Sequence, residues 1–278
     1  MSHHKQRHLR RVVDSNMLQS PRLREYLSKS KTNFAVLTDY AAMEAYKGDT
    51  LVSIFRSMSI LSEFPSQVIV LKTTGVVCGL SGRPAGLQRR MIDTKQTHGF
   101  QIYCQRLRAA QAGDKYLCQQ LLELGREADA QMQRMIADVV VMPEAVKLFT
   151  EAFTESELKV IRNNLPYPGG LVRKVLENIV GLAQQFYQKH PRPAALRNVT
   201  ELPNTFLFRT ALCAFVWVLD RIAVGGSDQP AKLRNDIVDL NFATFATYFD
   251  GLLSADRKPL RIYDHASFIL GAITRPAY

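Results

Sequence analysis

The strongest constraint on the fold lies near the N-terminus, where short apolar runs alternate with helix-like segments. Leu9 to Val13 is an apolar-basic run ending at Asp14 and reads as a strand. Ser20-Pro21 opens a helix over Arg22–Ser30, with proline in the first turn, where a missing N–H is tolerated. Phe34 to Thr38 reads as a second strand, and Asp39 is placed to cap a helix over Tyr40–Lys47. A further helix covers Asp49–Leu61, and Gln67 to Thr73 reads as a third strand. This alternation predicts a parallel sheet with helices on its faces, because parallel neighbours need a crossover between them.

The pattern then changes. From about Gly75 to Leu202 no segment reads as a strand. Helices are predicted over Phe100–Ala112, Lys115–Val140 and Ser156–Leu165, the last opened by a capping-box pair, Thr154 and Glu157. Leu171, Val175, Ile179 and Leu182 recur at helical spacing within Leu171–His190, and Pro191 ends that helix. The loop Gly79–Gly86 has three glycines but neither a dinucleotide fingerprint nor a P-loop lysine. Past this helical stretch, Phe206–Val224 reads as a buried helix and Gly225–Pro230 as a loop. Lys232–Phe249 reads as a helix carrying Asp236 and Asp239, Leu252-Leu253 as a fourth strand, and Leu260–Tyr263 as a fifth.

Among 278 residues the formal net charge is +11, a field that favours polyanions and makes nucleic acid the leading partner class. Met1 to Arg11 is rich in His, Lys and Arg and has no apolar stretch, so it reads as a basic arm or a solvated tail rather than a signal peptide. Cys78, Cys104, Cys118 and Cys213 form no Cys-x-x-Cys pair and read as reduced thiols of a cytoplasmic protein. Arg209 and Asp220 interrupt the most apolar helix, so no membrane association is expected.

The chemistry suggested by the chain is carried by acids. Asp14 follows the first strand, Asp256 follows the fourth, and Glu44 lies just past the second. In an open α/β sheet, ligands bind outside the carboxyl ends of the strands. Asp236 and Asp239 are three apart on one helix and can face the same side. Carboxylates gathered in one pocket repel one another unless a cation lies among them. Hard oxygen ligands suit Mg²⁺ or Mn²⁺, which can serve in-line phosphoryl displacement. No Cys or His spacing supports zinc. Each acid also has an ordinary reading: Asp14 as a helix cap, Glu44 and Asp236 as solvated helix residues, Asp239 as the partner of an arginine, and Asp256 as a turn residue.

In these segments the chain resembles the PIN-domain nucleases. Val12-Val13-Asp14-Ser15-Asn16 is similar to that family's first strand with its catalytic Asp. Phe34 to Glu44 is similar to its second strand and Glu-bearing helix. Asn235-Asp236-Ile-Val-Asp239 with Leu253-Ser254-Ala255-Asp256 is similar to its Asn-Asp helix and Thr-x-Asp strand end, with Ser254 in place of Thr. The resemblance implies a three-layer α/β/α core with a central parallel sheet, built from residues 1–74 and 203–278. A large all-α insertion over residues 75–202 would interrupt it. It further implies an endoribonuclease that cuts single-stranded RNA with Mg²⁺ or Mn²⁺, as in toxin or defence effectors. Asp14, Glu44, Asp236 and Asp256 would hold the metal and activate water, with Asp239 an alternative or additional ligand. Asn16 and Ser254 would contact substrate or orient water.

Arg83, Arg89 and Arg90, with Arg106 and Arg108, are candidates to hold the phosphate backbone, RNA in preference to DNA. The helical insertion offers a surface for a protein partner or a second copy of the chain. The competing reading is a catalytically degenerate module of the same fold that binds RNA or protein. An ordinary doubly wound nucleotide-binding enzyme is disfavoured by the missing glycine fingerprint after the first strand.

Overall fold

A computed structural model describes residues 8–47, 50–139, 142–196 and 198–274. Most of the basic arm, the Asp49 start of the third predicted helix and the Val140 end of the long one lie outside the described residues.

In chain order the elements begin with β1 (Leu9–Val13), α1 (Pro21–Lys29), β2 (Asn33–Leu37), α2 (Asp39–Tyr46), α3 (Leu51–Glu63) and β3 (Val68–Val70). The helices α4 (Thr74–Val77), α5 (Pro84–Met91), α6 (Thr94–Gln111), α7 (Lys115–Val139), α8 (Met142–Glu151), α9 (Glu155–Arg162) and α10 (Gly169–Lys189) follow. The chain ends with α11 (Phe206–Val224), α12 (Pro230–Ala246), β4 (Leu252–Leu253) and α13 (Arg257–Thr274). Among the described residues the protein is mostly helical, with one small sheet. That sheet has four strands in the order β3-β2-β1-β4, every pair parallel. The expected parallel sheet with abundant helix is therefore present.

Two readings need correction. Leu260–Tyr263 is not a fifth strand but part of α13. The short Leu-Arg-Ile-Tyr alternation mimics a strand, yet the buried Ile262, Ala266 and Leu270 recur every four residues, the helical period. Asp39 does not cap α2. Thr38 does, its hydroxyl accepting from the Ala41 N–H at 3.1 Å. Asp39 opens the helix and accepts from the Thr74 N–H (2.7 Å) and hydroxyl (2.8 Å). The predicted capping box of α9 is present, with Thr154 and Glu157 satisfying each other's backbone N–H groups.

The chain folds into two compact units. The first contains residues 1–77, 88–133 and 245–257 and carries the whole sheet. The second contains residues 78–87, 134–244 and 258–278. Residues 88–133 thus group with the sheet, and residues 203–244 group in the second unit.

In the first unit Val12, Val13, Ala35 and Val36 are fully buried, together with Leu23 of α1 and Ile54 and Leu61 of α3. β4 is only two residues long, but it is anchored: Val12 N–H donates to Gly251 O and Asp14 N–H to Leu253 O, both at 2.9 Å. Gly251 turns the chain into β4 at φ 128°, a conformation that a side chain would strain. The second unit is built around α11. Its Phe208, Leu212, Phe215 and Val216 pack with Leu171, Val175 and Ile179 of α10 and with Leu158 and Ile161 of α9. That face supplies the apolar burial that holds the helices together.

Candidate active site

The strand order fixes where a site can form. From β1 the chain steps to β2 and β3 on one side, while β4 adds on the other side of β1. The carboxyl ends of β1 and β4 therefore flank the topological switch point of the sheet, the usual place for a ligand crevice. Asp14 follows β1 there, and Ser254 to Asp256 follow β4.

Asp14 is 3% exposed. Its side chain does not close the following turn, Ser15–Met17, with a capping hydrogen bond. Instead, its Oδ2 accepts from the Ser254 hydroxyl at 2.5 Å and its Oδ1 from the Ser15 hydroxyl at 3.3 Å. Burial pushes the Asp14 carboxyl above the ordinary aspartate range. The Ser254 hydroxyl, the nearby Asn16 N–H and the Ser15 hydroxyl pull it down, while the charge of Asp256 raises it further.

Asp256 is exposed and held from two sides. The Asn16 amide donates to its Oδ2 at 2.8 Å, and its backbone N–H donates to the Ser254 hydroxyl oxygen at 3.0 Å. The Asn16 side-chain Oδ1 accepts from the Ala255 N–H at 3.2 Å. Asn16 thus clamps residues 255 and 256 onto the end of β1, and the Ser254 oxygen joins Asp14 to the Asp256 backbone. Both polar atoms of Asn16 and the single proton of Ser254 are engaged in positioning the acids.

Glu44 lies on α2 with its side chain 11% exposed. The Ser15 hydroxyl is 3.5 Å from its Oε2. Ser15 has one proton facing two carboxylates, Asp14 and Glu44, so it links them without neutralising either. Lys47 forms an ion pair with Glu44 one helical turn on. Neither Ser15 nor Lys47 was singled out by the sequence pattern, although the Glu-x-x-Lys spacing is the signal for the second.

The structure therefore brings Asp14, Glu44, Asp256, Asn16 and Ser254 into one hydrogen-bonded group. Asp236 and Asp239 belong to the second unit. Asp236 is 4% exposed on α12. It accepts from the Trp217 indole N–H at 3.0 Å and forms an ion pair with Lys258. Asp239 is half-buried on the same helix. Arg83 is exposed before α5, and Arg89 and Arg90 are exposed at its end. Arg106 and Arg108 are exposed on α6.

The donor set of Asp14, Glu44 and Asp256 is entirely oxygen, which fits a hard divalent cation in kind. Among the described residues no group of three or more His, Cys, Asp or Glu is arranged to hold a metal ion. Among the same residues no helix is long and apolar enough to cross a membrane. Compared with known proteins, the chain matches no family model, no curated protein and no solved structure.

Proposed function

We propose that the first unit is a PIN-like, three-layer nuclease core and that the protein is a metal-dependent endoribonuclease acting on single-stranded RNA. The observation that carries this reading is the pairing of Asp14 with Asp256 at the switch point of a parallel sheet. The two acids come from strands that are neighbours in space and far apart in sequence, and Ser254 and Asn16 hold them in register. The net charge of +11 supports a polyanionic substrate.

Asp14 and Asp256 would hold Mg²⁺ or Mn²⁺, joined by Glu44 once it parts from Lys47. The bound cation would supply Lewis acidity for in-line attack of water on a phosphodiester. The chain's own residues do the rest. Asn16 and Ser254 keep the two aspartates in place. The exposed Asp256 carboxylate takes a proton from the attacking water as the phosphorus–oxygen bond to the leaving nucleotide breaks. The leaving oxygen takes a proton from solvent water and ends as a hydroxyl. The exposed arginines 89, 90, 106 and 108 of the same unit hold the phosphate backbone.

The test is cleavage of a fluorescent single-stranded RNA by the full chain with Mn²⁺, with Mg²⁺ and with chelator. Cleavage that requires the cation and fails in Asp14→Asn supports the reading. A second reading, a binding module of the same fold without activity, is favoured by the Lys47 ammonium, which already meets the charge of Glu44. RNA binding that is indifferent to Mn²⁺, with no cleavage, would select it.

A further inference from the structure

The carboxyl ends of β2 and β3, one strand over from the acids, open into a separate cavity of about 750 Å³ within the first unit. This volume is in the range of small-molecule sites. Leu37 and Val70 of the sheet line it, and α6 adds Phe100 and Tyr103, whose ring centroids are 5.4 Å apart. The walls are therefore apolar and partly aromatic.

The charge in these walls has one sign in excess. Among the described residues that line the cavity, two carboxylates, Asp39 and Asp93, stand against one cation, Lys95. Lys95 is exposed on the first turn of α6, where water screens its charge. Asp39 is partly buried. Its oxygens accept from the Thr74 N–H and hydroxyl and from the Tyr40 N–H, all neutral donors. Asp93 caps α6, accepting from the Gln96 N–H at 2.8 Å and the Gln96 side-chain amide at 3.1 Å. Among the described residues neither carboxylate forms an ion pair. Burial raises the Asp39 carboxyl above the ordinary aspartate range, against the pull of its hydrogen bonds. A cation beside it would act in the opposite sense.

The walls also narrow the kind of cation. A hard metal ion takes about six or more oxygen ligands or keeps its waters, and apolar and aromatic walls suit neither. An organic ammonium needs only a few acceptors for its N–H groups and is attracted to aromatic faces. Its carbon body gains from burial against Leu37, Val70 and Phe100. The excess of carboxylate disfavours an anion.

We infer that this cavity binds an organic monocation, a primary amine carried on a flat apolar body. The ammonium turns to Asp39 and Asp93, and the body packs against Phe100 and Tyr103. One positive charge matches the excess of one carboxylate over Lys95. The site needs neither the metal nor the cleavage proposed above, so each reading has its own test.

The experiment is calorimetric titration of the full chain with chelator in phosphate buffer, which contains no amine. Tryptamine is the probe, an indole body with an alkylammonium that is charged at neutral pH as lysine is. Indolepropionate keeps the body and reverses the charge, and butylamine keeps the ammonium without the ring. Tryptamine is expected to bind, butylamine to bind about tenfold or more weakly, and indolepropionate not to bind. Asp39→Asn is expected to weaken tryptamine binding by about tenfold or more. Asp93→Asn keeps a capping oxygen for α6 and is expected to weaken it by about threefold or more. Gly99→Leu adds a side chain to the cavity lining without a backbone clash, since a Cβ there meets nothing within 4 Å. It is expected to weaken binding by about tenfold or more. The inference is overturned if tryptamine does not bind, or if indolepropionate or butylamine binds as tightly as tryptamine. It is equally overturned if any of the three variants, folded as the parent by circular dichroism, binds tryptamine with the parent affinity.

Discussion

The Ser254 hydroxyl donates to Asp14 Oδ2 at 2.5 Å, joining the residue after β1 to the residue after β4 across 240 positions of chain. The same oxygen accepts from the Asp256 N–H, so one serine sets the spacing of two acids. Ser254→Ala removes both contacts while leaving each carboxylate in the chain. Metal-dependent RNA cleavage is expected to fall by about 10-fold or more, with Mn²⁺ affinity reduced in step. Ser254→Thr, which keeps the hydroxyl, is expected to retain most of both. Single-turnover cleavage and calorimetry measure the pair, and an alanine variant with parent activity and affinity would remove the serine from the site.

Asp14 gives a pH signature. Burial raises its carboxyl above the ordinary aspartate range, so the folded protein holds that proton more tightly than the unfolded chain does. The linked stability is present below the ordinary range and is lost as pH rises through the raised value. Asp14→Asn removes this titration. In cation-free buffer the variant is expected to melt above the parent near neutral pH, with the gap closing as pH falls into the ordinary aspartate range. Asp39, raised by burial in the same direction, is common to both proteins and cancels. Thermal unfolding across acidic to neutral pH measures the gap, and a gap independent of pH would contradict this account.

Lys47 competes for Glu44. The pair is partly solvent-screened, with Lys47 42% exposed, so its removal is a modest change. Lys47→Gln is expected to tighten Mn²⁺ binding by up to about fivefold, the size of a surface ion pair. Unchanged or weaker Mn²⁺ binding in this variant would show that Glu44 takes no part in holding the cation.

Asp236 has a structural task in the second unit that can be read by light. Trp217 is the one tryptophan of the chain, and its indole donates to Asp236. Asp236→Leu leaves that N–H and the Lys258 ammonium without their acceptor and is expected to cost roughly 1–3 kcal/mol. Asp236→Asn keeps an acceptor for the indole and is expected to cost less. Urea unfolding followed by Trp217 emission gives both values, and equal stability of the leucine variant and the parent would contradict this assignment.

How much of this was legible in sequence depends on the range of each signal. β1 and β2 were legible because Val12-Val13 and Phe34 to Leu37 are uninterrupted apolar runs, as central parallel strands must be. Even the two-residue β4 was legible, since Leu252-Leu253 lies between a glycine turn and a polar segment. The false strand at Leu260–Tyr263 came from a window too short to separate periods of two and four. Asp14 and Asp256 were found because each stands just past a strand, where the chain geometry is predictable. The setting of Asp236 was not legible, because its partners Trp217 and Lys258 are brought to it only by the packing of three helices. The hydrogen bond between the Tyr46 and Tyr103 hydroxyls was equally hidden: the two residues are 57 positions apart and carry no pattern that distinguishes them from core aromatics.

The most direct measurement of the central claim is Mn²⁺-dependent single-turnover cleavage of a single-stranded RNA by the parent chain and by Asp14→Asn and Asp256→Asn. The parent is expected to cut only with the cation, and each variant to be slower by about 100-fold or more while unfolding cooperatively as the parent does. Cleavage by either folded variant at the parent rate, or none by the parent with Mn²⁺ or Mg²⁺, would contradict the account.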